Sequence, residues 1–383
     1  DIIGVRGIIF KTKMGEVTIY ANAVNILAKG IRNLPDKYHG LKDVEIRYRK
    51  RYLDLISNPE TREIFMKRAK IIAEMRNFFD ARGFVEVQTP ILQPLYGGAS
   101  ARPFVTEHNE LHMPLYLRIS PELYLKRLIV GGFEKVYDIN KNFRNEGIDR
   151  SHNPEFMMME WYEAYTDYNY QMRQVEEMIS TIAKKVFGTM EFTYQGKVID
   201  FTPPWRCLSM IDSIMDYAGI DVQDMGDAEL KQLVKNYNLE VIEETRGYII
   251  NALFENLVEH KLDGPMFIID HPIEISPLTK VNRKDPRLVE RFEVFIAGME
   301  IGNAYSELSD PIEQRKRFED QQAHSDIDEE AHPIDEDFLE ALEYGMPPTG
   351  GVGIGIDRLV MLMTDQPCIR DVILFPTMKN KEE

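Results

Sequence analysis

The sequence predicts an α+β fold on a largely antiparallel sheet. Strand-rich segments are interrupted by stretches of helical spacing, and adjacent strands are often joined by tight turns. No repeat of solenoid period and no low-complexity tract organises the chain otherwise.

Residues 1 to about 27 alternate apolar and polar positions in two runs, "IIGVRGIIF" and "EVTIYANAVNIL", around a turn at Met14-Gly15-Glu16. This predicts a β-hairpin that is marginal alone and therefore part of a larger β unit beginning upstream. "LPDKYHGLKD" reads as a linker. From Asn58 the spacing turns helical: Ile64, Phe65, Ile71, Ile72, Met75, Phe78 and Phe79 share one face, with Pro59 near the start and Gly83 at the stop. "FVEVQTP" follows as a strand ended by Pro90, then the short strand "LYLRIS" and a helix "PELYLKRLIVGGF" opened by Pro121. Two strands flank the loop of "NFRNEGIDRSHNPEFMMMEWYEAY", a helix covers about 168–187, and a hairpin turns at Gln195-Gly196. Two or three helices span about 208–261. The last third returns to strands, "MFIID", "RFEVFIAG" and "MEIGNAYSE", and closes with a glycine-rich strand running into a helix, "GGVGIGIDRLVMLM".

With 44% hydrophobic residues in 383, the chain can bury one large core or two unequal ones. Its apolar runs are too short to cross a bilayer and its first residues lack the order of a signal peptide, so a cytoplasmic protein is expected. Cys207 and Cys368 stand far apart without His at ligand spacing, which excludes a disulfide framework and a zinc site. A net charge of −17 excludes an extended nucleic-acid-coating surface while leaving room for local basic patches. The clearest of these, "RYRKRY" from Arg47 to Tyr52, reads as a solvated helix face.

Charged residues within the strands carry the chemistry. On a half-buried strand Glu160 and Tyr162 share a face and Glu163 points away. Glu293 and Phe295 likewise share a face, and beyond the turn at Gly298 so do Asn303, Tyr305 and Glu307. Glu300 falls on the opposite parity, which a bulge or the turn itself could reset. One isolated glutamate on a sheet is most often half of an ion pair; five on adjacent strands beside two arginines exceed that pattern. Such a group can hold Mg²⁺ near phosphate, or take an alkylammonium ion between Glu160, Glu307, Tyr162 and Tyr305.

The two arginines are Arg144, which ends the strand "VYDINKNFR", and Arg358, which opens the helix after "GVGIGID". Guanidinium suits bidentate phosphate recognition, and His152 could add a third donor. Phe156 is either a core residue or a stacking platform for a purine. "GGVGIGIDR" departs from G-x-G-x-x-G at Arg358, and neither a P-loop nor H-E-x-x-H is present.

These residues lie in stretches that resemble class II aminoacyl-tRNA synthetases, and among them the lysyl type. "RGFVEVQTPIL" resembles the first motif of that class, "FRNEGIDRSHNPEFMMMEWY" the second and "GVGIGIDR" the third, in the family's order. "KYHGLKDVEIRYRKRYLDL", "GGASARPF", "ISPELYLKRL" and "EIGNAYSEL" are lysyl-type in detail, and the likeness covers essentially the whole chain. It implies a catalytic domain at 61–383 whose antiparallel sheet is flanked by helices, a linker at 33–60, and at 1–32 a remnant of an N-terminal OB-type barrel, the family's full chain being longer at that end. It implies a homodimer formed partly through the first motif near Pro90, with no membrane partner. It also implies ATP bent between Arg144 and Arg358, assisted by Glu146 and His152, with Phe156 on adenine and Mg²⁺ on Glu293 and Glu300. Lysine's side-chain ammonium is assigned to Glu307 and Tyr162, its α-amino and carboxylate ends to Gly98, Glu122, Glu160 and Asn303, and a pocket wall to Tyr305.

The implied activity is ATP-dependent conversion of L-lysine to lysyl-adenylate and transfer of lysine to the 3′ end of tRNA(Lys). The rival expectation is a paralogue that lysylates a protein or lipid amine. A non-catalytic relative would have lost Arg144, Arg358 or Glu293, and all three are present. Met157 stands where the family often has Thr, a change expected to act on loop packing. With only the last OB strands present, anticodon recognition is the function this sequence puts in doubt.

Overall fold

The computed structural model describes residues 1–35, 40–323 and 333–380; residues 36–39 of the expected linker lie outside the described residues. The chain divides into two units, Asp1–Arg62 and Glu63–Glu383.

In the first unit β1 (Ile2–Lys11) and β2 (Val17–Ala28) form an antiparallel hairpin, with Gly15 at φ 86° in the turn. Nearly every residue of both strands is exposed, including Ile8, Ile9 and Tyr20. Two short helices follow, α1 (Val44–Arg49) and α2 (Arg51–Ser57), the first capped by Asp43 Oδ1, which accepts from the Ile46 amide at 2.9 Å. The expectation of a solvated basic face here is only half met. Arg51 is 1% exposed and pairs with Asp54 at 2.6 Å, and Arg47 reaches the same carboxylate at 2.8 Å. Asp54 collects these cations because it is itself buried and needs charged partners.

The second unit is built on an eight-stranded sheet. Helix α3 (Pro59–Asp80) buries the predicted face, Ile71, Met75, Phe78 and Phe79, and ends before Gly83 at φ 78°. The next strand is shorter than expected: only β3 (Val85–Glu86) joins the sheet. A small separate sheet holds β4 (Leu92–Gln93), β5 (Val105–His108) and β6 (Met113–Leu117), and α4 (Glu122–Val130) follows Pro121. Then come β7 (Lys135–Phe143), β8 (Glu155–Ala164) and α5 (Tyr168–Ile182), the last capped by Asp167 and prolonged by a π turn to Phe187. The predicted hairpin is β9 (Glu191–Tyr194) and β10 (Lys197–Asp200), with Gln195 and Gly196 both at positive φ.

After β11 (Arg206–Ser209), helices α6 (Met210–Ala218), α7 (Asp227–Tyr237) and α8 (Arg246–Leu257) fill the region expected to be helical. Strands β12 (Met266–Pro272), β13 (Leu288–Ile296) and β14 (Met299–Ser306) lead to α9 (Pro311–Ala323) and α10 (Glu336–Glu343). The chain closes with β15 (Thr349–Gly355), α11 (Ile356–Met363) and α12 (Ile369–Val372).

The sheet order is β11-β12-β13-β14-β15-β8-β7-β3. Its five inner pairings are antiparallel and only the outer pairs, β11 with β12 and β3 with β7, are parallel. One face packs α3, α5 and α11 through a core that includes Phe79, Trp161, Phe292, Val352 and Leu359, with the Phe79 and Trp161 ring centroids 4.7 Å apart. Among the described residues helices cover the other face only at its two ends. Met266, Ile268 and Phe295 meet α6, α7 and α8 at one end, and Val136, Tyr162 and Ala164 meet α4 and α10 at the other. The stretch between them is left for a cleft. No helix among the described residues is long and apolar enough to cross a membrane.

Candidate active site

Two cross-strand rows form the floor of the cleft. The first runs Glu293, Asn303, Gly353, Glu160 and Asp138 across β13, β14, β15, β8 and β7. The second, two residues along, runs Arg291, Tyr305, Gly351, Tyr162 and Val136. Directly opposed residues on neighbouring strands share a face, so the alternation of each strand brings these side chains to one side. Glycines at the central strand keep the middle of both rows free of side chains. A Cβ on Gly351 would overlap Glu307 Oε1 and Tyr162 Cε1.

Above these rows lies a cavity of about 360 Å³. The structure brings to its walls Gly98, Glu122, Arg144, Glu146, His152, Phe156, Glu160, Tyr162, Glu300, Asn303, Tyr305 and Arg358. Two expected residues, Glu293 and Glu307, are not on its wall. Glu293 Oε1 accepts from Arg291 Nη2 at 2.6 Å, beside the cavity. Glu307 is 1% exposed, behind Gly351, and its Oε2 lies 2.5 Å from Lys126 Nζ.

The parity of Glu300 is decided by a bulge. Val294 pairs with Gly302 but Phe295 pairs with Glu300, so Ile301 is the extra residue and Glu300 turns to the face of Glu293 and Phe295. Ile301 itself points into the main core.

At the cationic end Arg358 Nη1 donates to the Glu300 carbonyl at 2.7 Å and lies 3.5 Å from its carboxylate. Arg358 Nη2 meets His152 Nε2 at 3.0 Å, and His152 Nδ1 meets Asp149 Oδ2 at 2.8 Å. Since guanidinium can only donate, Nε2 accepts and the imidazole proton sits on Nδ1, toward Asp149. In this arrangement His152 holds Arg358 instead of offering a third donor to an anion. The Arg144 guanidinium lies 5.2 Å from the Phe156 ring centroid. Glu146 is exposed at the rim. Met157 donates its amide to Asp357 Oδ2 at 2.7 Å and packs against the main core.

The other end is acidic and buried. Glu160 accepts from Ser120 Oγ at 3.0 Å and from the Tyr162 hydroxyl at 3.3 Å. Burial, then the neighbouring Glu122 charge, pushes the Glu160 carboxyl up to about 8. Burial raises Glu122 and Glu307 as well, against the opposing pull of Lys126. Gly98, at φ 86°, lets the chain pass close to Ser120 and Glu122. Asn303 Nδ2 donates to the Tyr305 hydroxyl at 2.8 Å, while its Oδ1 accepts from Arg291 Nε at 3.1 Å.

Arg291 and Lys126 were not expected in the site. Arg291 shares its parity with Glu293 and lies 5.7 Å from the Tyr305 ring, so the period-two rule applied one step further would have found it. Lys126, four residues after Glu122 on α4, reads in sequence as an ordinary exposed helix pair, although it is 0% exposed.

Among the described residues no group of three or more His, Cys, Asp or Glu side chains is placed to hold a metal ion by itself. Glu293 and Glu300 are nonetheless adjacent hard oxygen donors. Burial and then the charge of Glu293 raise Glu300, and Glu259, from the turn after α8, is pushed to about 7 by burial, Glu300, Glu293 and Glu255. A divalent cation sharing phosphate and water oxygens would relieve that repulsion with only two protein ligands.

Residues 43–379 match the family model of tRNA synthetases class II (D, K and N). The chain is 56% identical over 382 residues to the lysine–tRNA ligase of Syntrophomonas wolfei, covering 99% of this chain and 78% of that protein. It is 56% identical over 388 residues to that of Pelotomaculum thermopropionicum, with 100% and 76% covered. The lysine–tRNA ligase of Listeria monocytogenes is 54% identical over 385 residues, with 100% and 77% covered.

Proposed function

Because the chain belongs to the class II tRNA synthetases, we infer that it activates L-lysine with ATP and joins the activated lysine to the 3′ end of tRNA(Lys). One observation carries the assignment of chemistry to place: a single cavity has two guanidinium groups at one end and buried carboxylates with two tyrosines at the other. The residue roles that follow are our proposal.

ATP lies with its phosphates between Arg144 and Arg358 and its adenine on Phe156, with Glu146 at the rim. Arg358 is already oriented by His152 and by the Glu300 carbonyl, so it need not reorganise when charge develops on the phosphates. Lysine enters the acidic end. Its α-amino and carboxylate groups are held by Gly98, Glu122, Glu160 and Asn303, its side chain runs past Tyr305, and its ammonium reaches Tyr162 and Glu307. The carboxylate of lysine is ionised at neutral pH, so attack on the α-phosphate needs alignment and charge neutralisation but no protein base. Pyrophosphate leaves and lysyl-adenylate remains; a ribose hydroxyl of the tRNA attacks its carbonyl, forming the ester as the bond to phosphate breaks and AMP leaves with the hydroxyl's proton lost to solvent.

Glu293 and Glu300 fit Mg²⁺, which when bound neutralises phosphate charge. The exposed apolar hairpin β1–β2 fits a remnant of an OB-type barrel at 1–32, followed by a linker at 33–60 and the catalytic domain at 61–383. A cytoplasmic homodimer formed partly through the segment near Pro90 completes the proposal.

Pyrophosphate exchange measured across the standard amino acids tests the activation step, with lysine alone expected to support it. Charging of tRNA(Lys) transcripts tests the transfer step. Exchange with lysine but acceptance only by protein or lipid amines would replace tRNA as the acceptor.

A further inference from the structure

Lys126, like Arg291, is a cation of the site that no expected role uses, and it alone of the two pairs with the socket's own glutamates. Its Nζ lies 2.6 Å from Glu122 Oε1 and 2.5 Å from Glu307 Oε2, and its side chain is 0% exposed. Apart from this ion pair neither oxygen of Glu307 has a hydrogen-bond partner among the described residues. Oε1 is the atom that a Cβ on Gly351 would strike, so it lies against the bare floor of the cavity. We propose that Lys126 is a positioning residue for the side-chain ammonium of the substrate: it clamps Glu122 and Glu307 from behind the socket and leaves Glu307 Oε1 as the free acceptor at Gly351. The proposal rests on the lysine reading above and adds to it how the socket is tuned.

The charge count supports this. The socket contains Glu122, Glu160 and Glu307 with Lys126 as their internal counter-ion, while the nearby Arg118 and Arg291 are already paired with Asp138 at 3.0 Å and Glu293 at 2.6 Å. Once all three carboxylates are ionised, as lysine binding favours, two negative charges remain for the α- and side-chain ammonium groups of lysine. Without Lys126 a third carboxylate would face the same space unpaired, and buried like charges hold protons instead of ionising together. Tyr162 and Tyr305, the other titratable groups facing Glu307, stay protonated because burial raises both.

The sign of the pH effect follows. Burial raises Glu122 and Glu307 and the charge of Lys126 opposes that rise in both, so removing it lets them climb further. They would then keep their protons to higher pH and be poorer partners for an ammonium ion, a defect that alkali repairs.

The test is lysine-dependent pyrophosphate exchange by the full chain carrying Lys126→Met, with KM for lysine and for ATP followed as pH rises. The expected result is a lysine KM raised about tenfold or more at neutral pH, an ATP KM changed less than about twofold, and a lysine defect that shrinks with alkali. Lysine kinetics like those of the unaltered protein, or a parallel loss for lysine and ATP at every pH, would overturn the clamp. Lys126→Arg, which keeps the charge but forks it, covers the case of a variant that does not fold. It should raise the lysine KM while keeping the original pH profile, and unchanged lysine kinetics would count against the proposal. If the unaltered chain shows no exchange with lysine, the functional reading fails and not the clamp.

Discussion

Glu160 shows how much of the site's behaviour resides in single groups. Its carboxyl titrates near 8 because it is buried beside Glu122, so in the free protein at neutral pH it holds its proton much of the time. Lysine binding favours the ionised form and therefore releases protons. Calorimetry near pH 7 should give a binding enthalpy that varies with the ionisation enthalpy of the buffer, in the direction of release. The same shift acts on stability. A carboxyl whose folded pKa is raised contributes stability below its ordinary range and loses it as pH rises through about 8. Tm of the free protein should thus fall between about pH 5 and about pH 8 and level off above that, and saturating lysine should flatten that slope. Residue chemistry of this kind was partly legible: alternation placed Glu160 beside Tyr162, yet it could not reveal Lys126, whose burial depends on helix α4 meeting a strand end nearly two hundred residues away.

The elements decide where these groups point. Strand β15 supplies glycines to both rows, and the two are not equivalent. At Gly351 a methyl would meet Glu307 and Tyr162 at distances no Cβ tolerates, whereas at Gly353 the nearest atom is the flexible Met158 Cε at 3.1 Å. Overpacking of about 1–3 kcal/mol is the usual range for such insertions. Gly351→Ala should lower kcat/KM for lysine by about tenfold to a hundredfold, and Gly353→Ala by less, in side-by-side exchange assays. The bulge at Ile301 belongs to the same scale. Periodicity offered a bulge or the turn as ways to bring Glu300 round, and only the strand pairing distinguishes them. Helix spans and hairpin turns were readable because they depend on neighbours in sequence, as at 168–187 and Gln195-Gly196. The length of the strand after Gly83 was not, because pairing with β7 sets it.

At the scale of the molecule the cleft is assembled entirely from residues 98–369, inside the unit Glu63–Glu383. A chain lacking residues 1–35 should therefore keep lysine-dependent pyrophosphate exchange within about threefold, while charging of tRNA is free to fall further. The order of the three motif-like stretches made the fold and the function legible before any coordinates. Glu255 and Glu259, which reinforce the negative field around Glu300, were hidden because α8 reaches the sheet only by long-range packing.

The central claim is that one crevice joins a phosphate-gripping end to an ammonium-binding end. It is tested most directly by measuring both KM values in pyrophosphate exchange for Arg358→Ala and Glu307→Gln. The account predicts a crossed pattern, in which Arg358→Ala raises the ATP KM by about tenfold or more with little change for lysine, and Glu307→Gln does the reverse. Equal effects of both substitutions on both substrates, or no effect of either, would contradict it.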